Sequence, residues 1–188
     1  KAPNVSGWCD KTPEFDFDVS SCDNIGIVCG QASGIVCIDV DLKDNGMLYF
    51  NKMIEVYGLP ECPIQMTPNG GRHYIFKYNN KRMNQMSPKV KGAIINDTKI
   101  GIDLWIRRCQ FIVEPSVNHS INKPYKWINP IVSRDSIPEL PEWIYQLYEH
   151  GEIDSNGMII GYDDQSDIDS NESIDNESID NESIDNES

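Results

Sequence analysis

Two carboxylates one residue apart close an apolar run, Gly34-Ile-Val-Cys-Ile-Asp-Val-Asp-Leu42. In a β-strand alternate side chains share a face, so Asp39 and Asp41 project one way and Val36, Ile38 and Val40 the other. Carboxylates about 7 Å apart at a buried strand end repel, so one keeps its proton unless a cation lies between them. Mg²⁺ or Mn²⁺ suits such oxygen ligands. A strand that merely runs into an Asp-rich turn is the plainer alternative, and this stretch alone leaves both open.

Two other places carry chemistry. Asp103 sits within Lys99-Ile-Gly-Ile-Asp-Leu-Trp-Ile106, and a carboxylate among apolar neighbours must be paired, hydrogen-bonded or bound to a cation. Gly70-Gly-Arg-His73 opens a strand-like segment. Taken singly, a histidine there reads as structural and paired glycines as ordinary turn residues. Taken together, Asp39, Asp41 and Asp103 could hold two divalent ions roughly 4 Å apart, as phosphoryl transfer requires. Gly70 and Gly71 would let backbone approach a phosphate, with Arg72 or His73 donating hydrogen bonds to it.

The elements that must position these residues follow from periodicity. Asn24-Ile-Gly-Ile-Val-Cys29 and the run ending at Asp41 read as a hairpin across Gly30-Gln-Ala-Ser-Gly34. A helix is predicted from an Asp44 N-cap to a Gly58 stop, with Met47, Phe50, Ile54 and Tyr57 on its apolar face. Ile64-Gln-Met-Thr67 and Arg72-His-Tyr-Ile-Phe-Lys-Tyr78 form a second hairpin across Pro68-Asn-Gly-Gly71. Residues 79–98 read as an exposed basic loop, followed by strands at Lys99–Ile106 and Cys109–Val113. Pro138 to His150 reads as a closing helix, with Pro141 near its start, Gly151 as its stop, and Leu140, Trp143, Ile144 and Leu147 facing inward.

Charge divides the chain. Its net charge of −14 argues at first against nucleic acid, but residues 151–188 hold 13 of the 30 acids and no Lys or Arg. Residues 1–150 are therefore nearly neutral, and 72–108 contain nine basic residues against Asp97 and Asp103. Such a segment could follow a phosphate backbone, although a solvated lysine-rich loop explains it equally well. From about residue 163 only Ser, Asn, Asp, Glu and Ile recur, and Asn-Glu-Ser-Ile-Asp repeats from Asn171. One Ile in five cannot bury enough surface to order a chain, so 151–188 are expected to form a disordered acidic tail or linker behind a domain spanning 1–150. Six cysteines without a C-x-x-C pair fit reduced thiols better than disulfides or structural zinc. No signal peptide and no apolar run of transmembrane length is present, so an intracellular location is expected. A start at Lys1 and an end inside a repeat suggest a fragment of a longer chain.

In order along the chain, Asn24-Ile-Gly-Ile-Val-Cys-Gly30, Ser33-Gly-Ile-Val-Cys-Ile-Asp-Val-Asp41, Thr67-Pro-Asn-Gly-Gly-Arg-His-Tyr-Ile-Phe76, Gly101-Ile-Asp-Leu104, Pro115-Ser116, Tyr125-Lys-Trp127 and Leu140-Pro-Glu-Trp143 match a known pattern. Over about residues 1–145 the chain resembles the N-terminal primase-polymerase domain of the archaeo-eukaryotic primase superfamily, found in replication proteins of plasmids, phages and large DNA viruses. The resemblance implies an α/β (α+β) fold, with a mixed or antiparallel RRM-like sheet flanked by helices. It implies that Asp39, Asp41 and Asp103 are catalytic ligands of Mg²⁺ or Mn²⁺, and that His73, with Arg72 as a second candidate, contacts the triphosphate. Ser116 lies in the family's Pro-Ser segment and would line the nucleotide pocket. The chain departs from the pattern at Glu114, where a second proline is usual, and at Trp105-Ile-Arg-Arg108, where the family often has a glycine-rich turn.

The implied activity is DNA-templated nucleotidyl transfer, with single-stranded DNA and nucleoside triphosphates as partners and a helicase domain or subunit downstream. Two rivals stand beside it. A metal-dependent nucleotide-sugar glycosyltransferase accounts for Asp39 and Asp41 but gives no task to His73 or Asp103. A non-catalytic DNA-binding module of the same fold would not need intact motifs.

Overall fold

The structure is a computed structural model that describes residues 7–10 and 24–162. Its strands are β1 (Ile25–Val28), β2 (Ile35–Val40), β3 (Ile64–Met66), β4 (Arg72–Lys77), β5 (Lys89–Lys91), β6 (Ile94–Ile95), β7 (Thr98–Lys99), β8 (Ile102–Trp105), β9 (Gln110–Val113), β10 (Val117–Asn118), β11 (Lys123–Pro124) and β12 (Lys126–Asn129). Helix α1 spans Gly46–Tyr57, the single-turn α2 Asn80–Met83, and α3 Glu142–His150. Residues 1–6 and 11–23, and the acidic repeat, lie outside the described residues.

The apolar run that ends in Asp39 forms a central strand. Six strands pair in the order β12-β3-β4-β2-β8-β5, and every pairing is antiparallel. Alternation splits their side chains between two cores. On one face Val36, Ile38, Val40, Tyr74, Phe76, Ile102 and Leu104 are buried with Phe50 and Met53 of α1 and Trp143, Ile144 and Leu147 of α3. On the other face Cys37 and Ile75 pack against Phe111 and Val113 of a separate ribbon of β1 and β9, and against Cys29, which follows β1. The fold is thus α+β with an antiparallel sheet, helices on one side and a β-ribbon on the other.

Three local expectations are corrected. Strand β1 does not form a hairpin with β2; its partner is β9, and only the bridge Gly30↔Ile35 joins the two runs. Gly30, at φ +125°, swings the chain from the ribbon into the main sheet. Residues 79–98 are not one exposed loop, because α2 buries Met83, β5 forms the edge of the main sheet beside β8, and Ala93 and Ile95 enter the core. Asp44 does not cap α1 either. Asp44 and Asn45 both have left-handed backbones, Asn45 holds the N-cap position, and the Met47 N–H instead donates to the Asp41 carbonyl at 3.0 Å. The end of β2 thereby satisfies a donor that the first turn leaves open.

The β3/β4 hairpin forms as expected, with Gly70 at φ +87° in its turn. Gly58 and Gly151 end α1 and α3. Packing runs past the end of α3, where the sequence reading closes the domain: Ile153 and Ile159 are buried and bridged, and the Ile159 N–H donates to the Tyr57 hydroxyl at 2.8 Å. Cys29, Cys37, Cys62 and Cys109 are free thiols, and burial pushes those of Cys29 and Cys37 well above their ordinary range. Among the described residues no helix is long and apolar enough to cross a membrane.

Candidate active site

The site is a single rung of the sheet. Register places Trp127 of β12 opposite Gln65 of β3, Gln65 opposite His73 of β4, His73 opposite Asp39 of β2, Asp39 opposite Asp103 of β8, and Asp103 opposite Lys91 of β5. Directly opposed residues project from the same face with Cβ atoms about 5 Å apart. Residues 64 positions apart in sequence, Asp39 and Asp103, are therefore immediate neighbours.

Burial and like charge act together on the carboxylates. Asp39, with its side chain 17% exposed, is raised to about 7, first by desolvation and then by the charge of Asp41, with Asp103 adding to it and Lys89 opposing it. Asp41 is also raised, chiefly by burial and further by Asp103, while Lys43 acts the other way. It stands one residue beyond β2, where its backbone N–H donates to the Gly101 carbonyl at 2.8 Å. Lys89 places its ammonium 3.2 Å from Asp103 Oδ2 and 4.2 Å from the centre of the Trp105 ring.

His73 is 4% exposed, and burial lowers it to about 4, so the imidazole is neutral at pH 7. Its Nε2 lies 3.5 Å from Asp39 Oδ1. Phe111 meets the ring edge-on at 5.4 Å between centres, Trp105 is tilted at 5.9 Å, and Tyr125 stacks at 6.2 Å. The Gln65 side-chain N–H groups donate to His73 Nδ1 at 3.1 Å and to the Ile112 carbonyl at 2.9 Å, and its Oε1 accepts from the Glu114 N–H at 2.8 Å. The buried Trp105 indole N–H has no hydrogen-bond partner among the described residues.

Two candidates from the sequence stand apart from the rung. Arg72 precedes His73 on β4, so alternation turns it to the helix-covered face, where its guanidinium donates to the Tyr74 hydroxyl at 3.4 Å. Ser116 is buried, and its hydroxyl accepts from the Ile25 N–H at 2.8 Å and donates to the Ile25 carbonyl at 3.2 Å. The structure commits it to holding β1. Gly71 also differs from expectation: a Cβ there would come 2.5 Å from the Val40 carbonyl and 3.3 Å from Asp41 Cα, so the close approach is to the chain's own backbone. The basic segment is partly spent internally as well. Besides Arg72 and Lys89, Arg82 pairs with Glu142 and stacks on Tyr145, and Arg107 donates to the Met83 carbonyl.

Gln65 and Lys89 are missing from the sequence reading. The only signal for Gln65 was a polar residue in the middle of a short apolar strand, and Lys89 was hidden in a segment read as loop. The three aspartates and His73 form a donor set that suits a hard divalent cation. Among the described residues, however, no three His, Cys, Asp or Glu side chains already stand at coordinating distances from one point. Burial comes first among the causes that raise Asp39, and its two acidic neighbours add to it.

No curated protein and no solved structure gives a significant match to the chain. The family profile described as bifunctional DNA primase/polymerase, N-terminal, matches residues 3–143, which include every strand and residue of the rung. A match over that share of the sequence shows the family: the chain belongs to the bifunctional DNA primase/polymerase N-terminal family.

Proposed function

We propose that this chain is the catalytic domain of a DNA-templated nucleotidyltransferase, which joins nucleoside triphosphates into primers or extends DNA during replication. The observation that carries the reading is the juxtaposition of Asp39, Asp103 and His73 on three adjacent strands, with Asp41 within electrostatic reach. A nucleotide-sugar transferase would use Asp39 and Asp41 alone, and nothing in the rung favours it.

In this reading Asp39, Asp41 and Asp103 hold Mg²⁺ or Mn²⁺. The bound ions would supply neutralisation of the triphosphate and activation of the attacking 3′-hydroxyl. The chain's own contribution is positioning and preset charge. Asp39 must give up a proton that burial favours, so binding of a cation releases that proton near neutral pH. His73, being neutral, donates one N–H to a phosphate oxygen without adding a fixed positive charge beside the carboxylates. Trp105, Phe111 and Tyr125 keep water from the imidazole flanks, which strengthens that hydrogen bond. Single-stranded DNA is the template partner that the family reading brings.

The test is primer synthesis and extension on single-stranded DNA with Mn²⁺, using Asp39→Ala, Asp41→Ala and Asp103→Ala. Loss of a metal-binding carboxylate is expected to reduce incorporation at least about a thousandfold, the scale on which removing one transition-state electrostatic contact is felt. Undiminished extension by all three folded variants refutes the site.

A further inference from the structure

We propose that Gln65 is a positioning residue that holds neutral His73 in one tautomer, with the proton on Nε2, and fixes the plane of its ring. The step from tautomer to nucleotide binding rests on the functional reading given above; the tautomer itself does not.

The orientation of the Gln65 amide is fixed by two backbone groups whose roles are not interchangeable. The Glu114 N–H can only donate, so the atom 2.8 Å from it must be the side-chain oxygen. The Ile112 carbonyl can only accept, so the atom 2.9 Å from it must be the side-chain nitrogen. That nitrogen has one N–H left, and it points at His73 Nδ1, 3.1 Å away. Nδ1 must therefore present its lone pair, and in a neutral imidazole this leaves the only proton on Nε2.

Nε2 lies on the Asp39 side of the ring, 3.5 Å from Oδ1. The proton is thus directed toward the acidic end of the rung, where a triphosphate would lie. Gln65 has no exposed surface, and both backbone groups that orient it belong to the β9 strand and the residue that follows it. The ribbon laid over the sheet, rather than anything near the carboxylates, decides where the histidine proton points. A rotated amide would set two N–H groups, those of Glu114 and Gln65, against each other and leave the Ile112 carbonyl facing an oxygen, so the arrangement resists inversion.

Long-range ¹H–¹⁵N spectra of the full ¹⁵N-labelled chain test this without nucleotide. The expected result between pH 6 and 8 is an unprotonated-type Nδ1 and a protonated-type Nε2 for His73. With Gln65→Glu, an ionised carboxylate accepts from the ring, and Nδ1 is expected to become protonated. Gln65→Leu removes the anchor at similar volume and is expected to raise the KM for nucleoside triphosphate about tenfold, the cost of one misdirected hydrogen bond to a charged group, with a smaller change in kcat. A protonated Nδ1 in the wild-type protein overturns the proposal, whether or not either variant folds. The expected wild-type tautomer, combined with an unchanged KM in Gln65→Leu, keeps Gln65 as the anchor and instead overturns the assignment of His73 to the nucleotide.

Discussion

Asp39 gives the site a pH signature that can be read in stability. In the folded protein its carboxyl is raised from the usual 3.8 to about 7. The folded state thus binds a proton that the unfolded chain has already released across that interval, and stability must fall as pH rises from about 4 to about 7. Above 7 both states are ionised and the loss is complete. At about 1.4 kcal/mol per pKa unit the full effect is about 4 kcal/mol. His73 runs the other way, because its lowered value means the unfolded chain binds the proton between about 4 and 6.5, so stability rises with pH over that interval. In the wild-type protein the two arms largely cancel up to pH 6.5.

The substitution Asp39→Asn separates them. It keeps the side chain's shape and removes the charge, and since burial alone lowers His73, that arm is common to both proteins and drops out of their difference. Denaturant unfolding in the presence of a chelator should find Asp39→Asn and wild type within about 1 kcal/mol near pH 4, and the variant more stable by about 4 kcal/mol at pH 8. For a chain of this size that is roughly 10 °C in Tm. Adding Mn²⁺ at pH 8 should recover stability in the wild type and not in the variant. A stability difference that does not grow between pH 4 and pH 8 would falsify the claim that Asp39 is a desolvated carboxylate.

Two other predictions test the surroundings of the rung. A Cβ at Gly46 would come 2.1 Å from the Gly101 carbonyl and 2.5 Å from that of Asp41, all backbone, so Gly46→Ala should cost at least about 3 kcal/mol of unfolding free energy. Gly151→Ala, with nothing within 4 Å and only φ +80° against it, should cost about 1–2 kcal/mol; equal losses would show that close approach is not what reserves position 46. Lys89→Met removes the ammonium that occupies Asp103 Oδ2 and should tighten Mn²⁺ binding severalfold, read from the electron paramagnetic resonance of free Mn²⁺. Weaker binding would mean that Lys89 supports the cation site rather than competing for it.

Much of the site was legible because strand alternation is a local property. The Asp39 and Asp41 pair, the Gly70 turn and the strand around Asp103 could be placed without knowing which strands were neighbours. The same alternation already separates Arg72 from His73, since adjacent strand residues cannot share a face. What periodicity could not supply was pairing. β1 is four residues and β2 six, joined by a short turn, which is the ordinary signature of a hairpin. Yet β1 finds its partner 85 residues later, because Cys29, Phe111 and Val113 must cover Cys37 and Ile75 on the face away from the helices. Lys89 was obscured by composition, since Lys-rich segments read as solvent-exposed even where a three-residue edge strand pairs with a central one.

The two faces of the sheet explain how such a rung is tolerated. Behind Asp39, its chain neighbours Ile38 and Val40 are fully buried against α1 and α3, as are Ile102 and Leu104 on either side of Asp103. Each fully buried aliphatic side chain contributes about 1.5–3 kcal/mol, so these four together exceed the roughly 4 kcal/mol cost of the desolvated Asp39. The register of β2 against β4 and β8 is therefore set by the helix-facing residues, and a one-residue slip would exchange them with the aspartates. The acidic rung is held in place by the apolar face it does not share, which is why a sheet can keep Asp39 and Asp103 opposite one another.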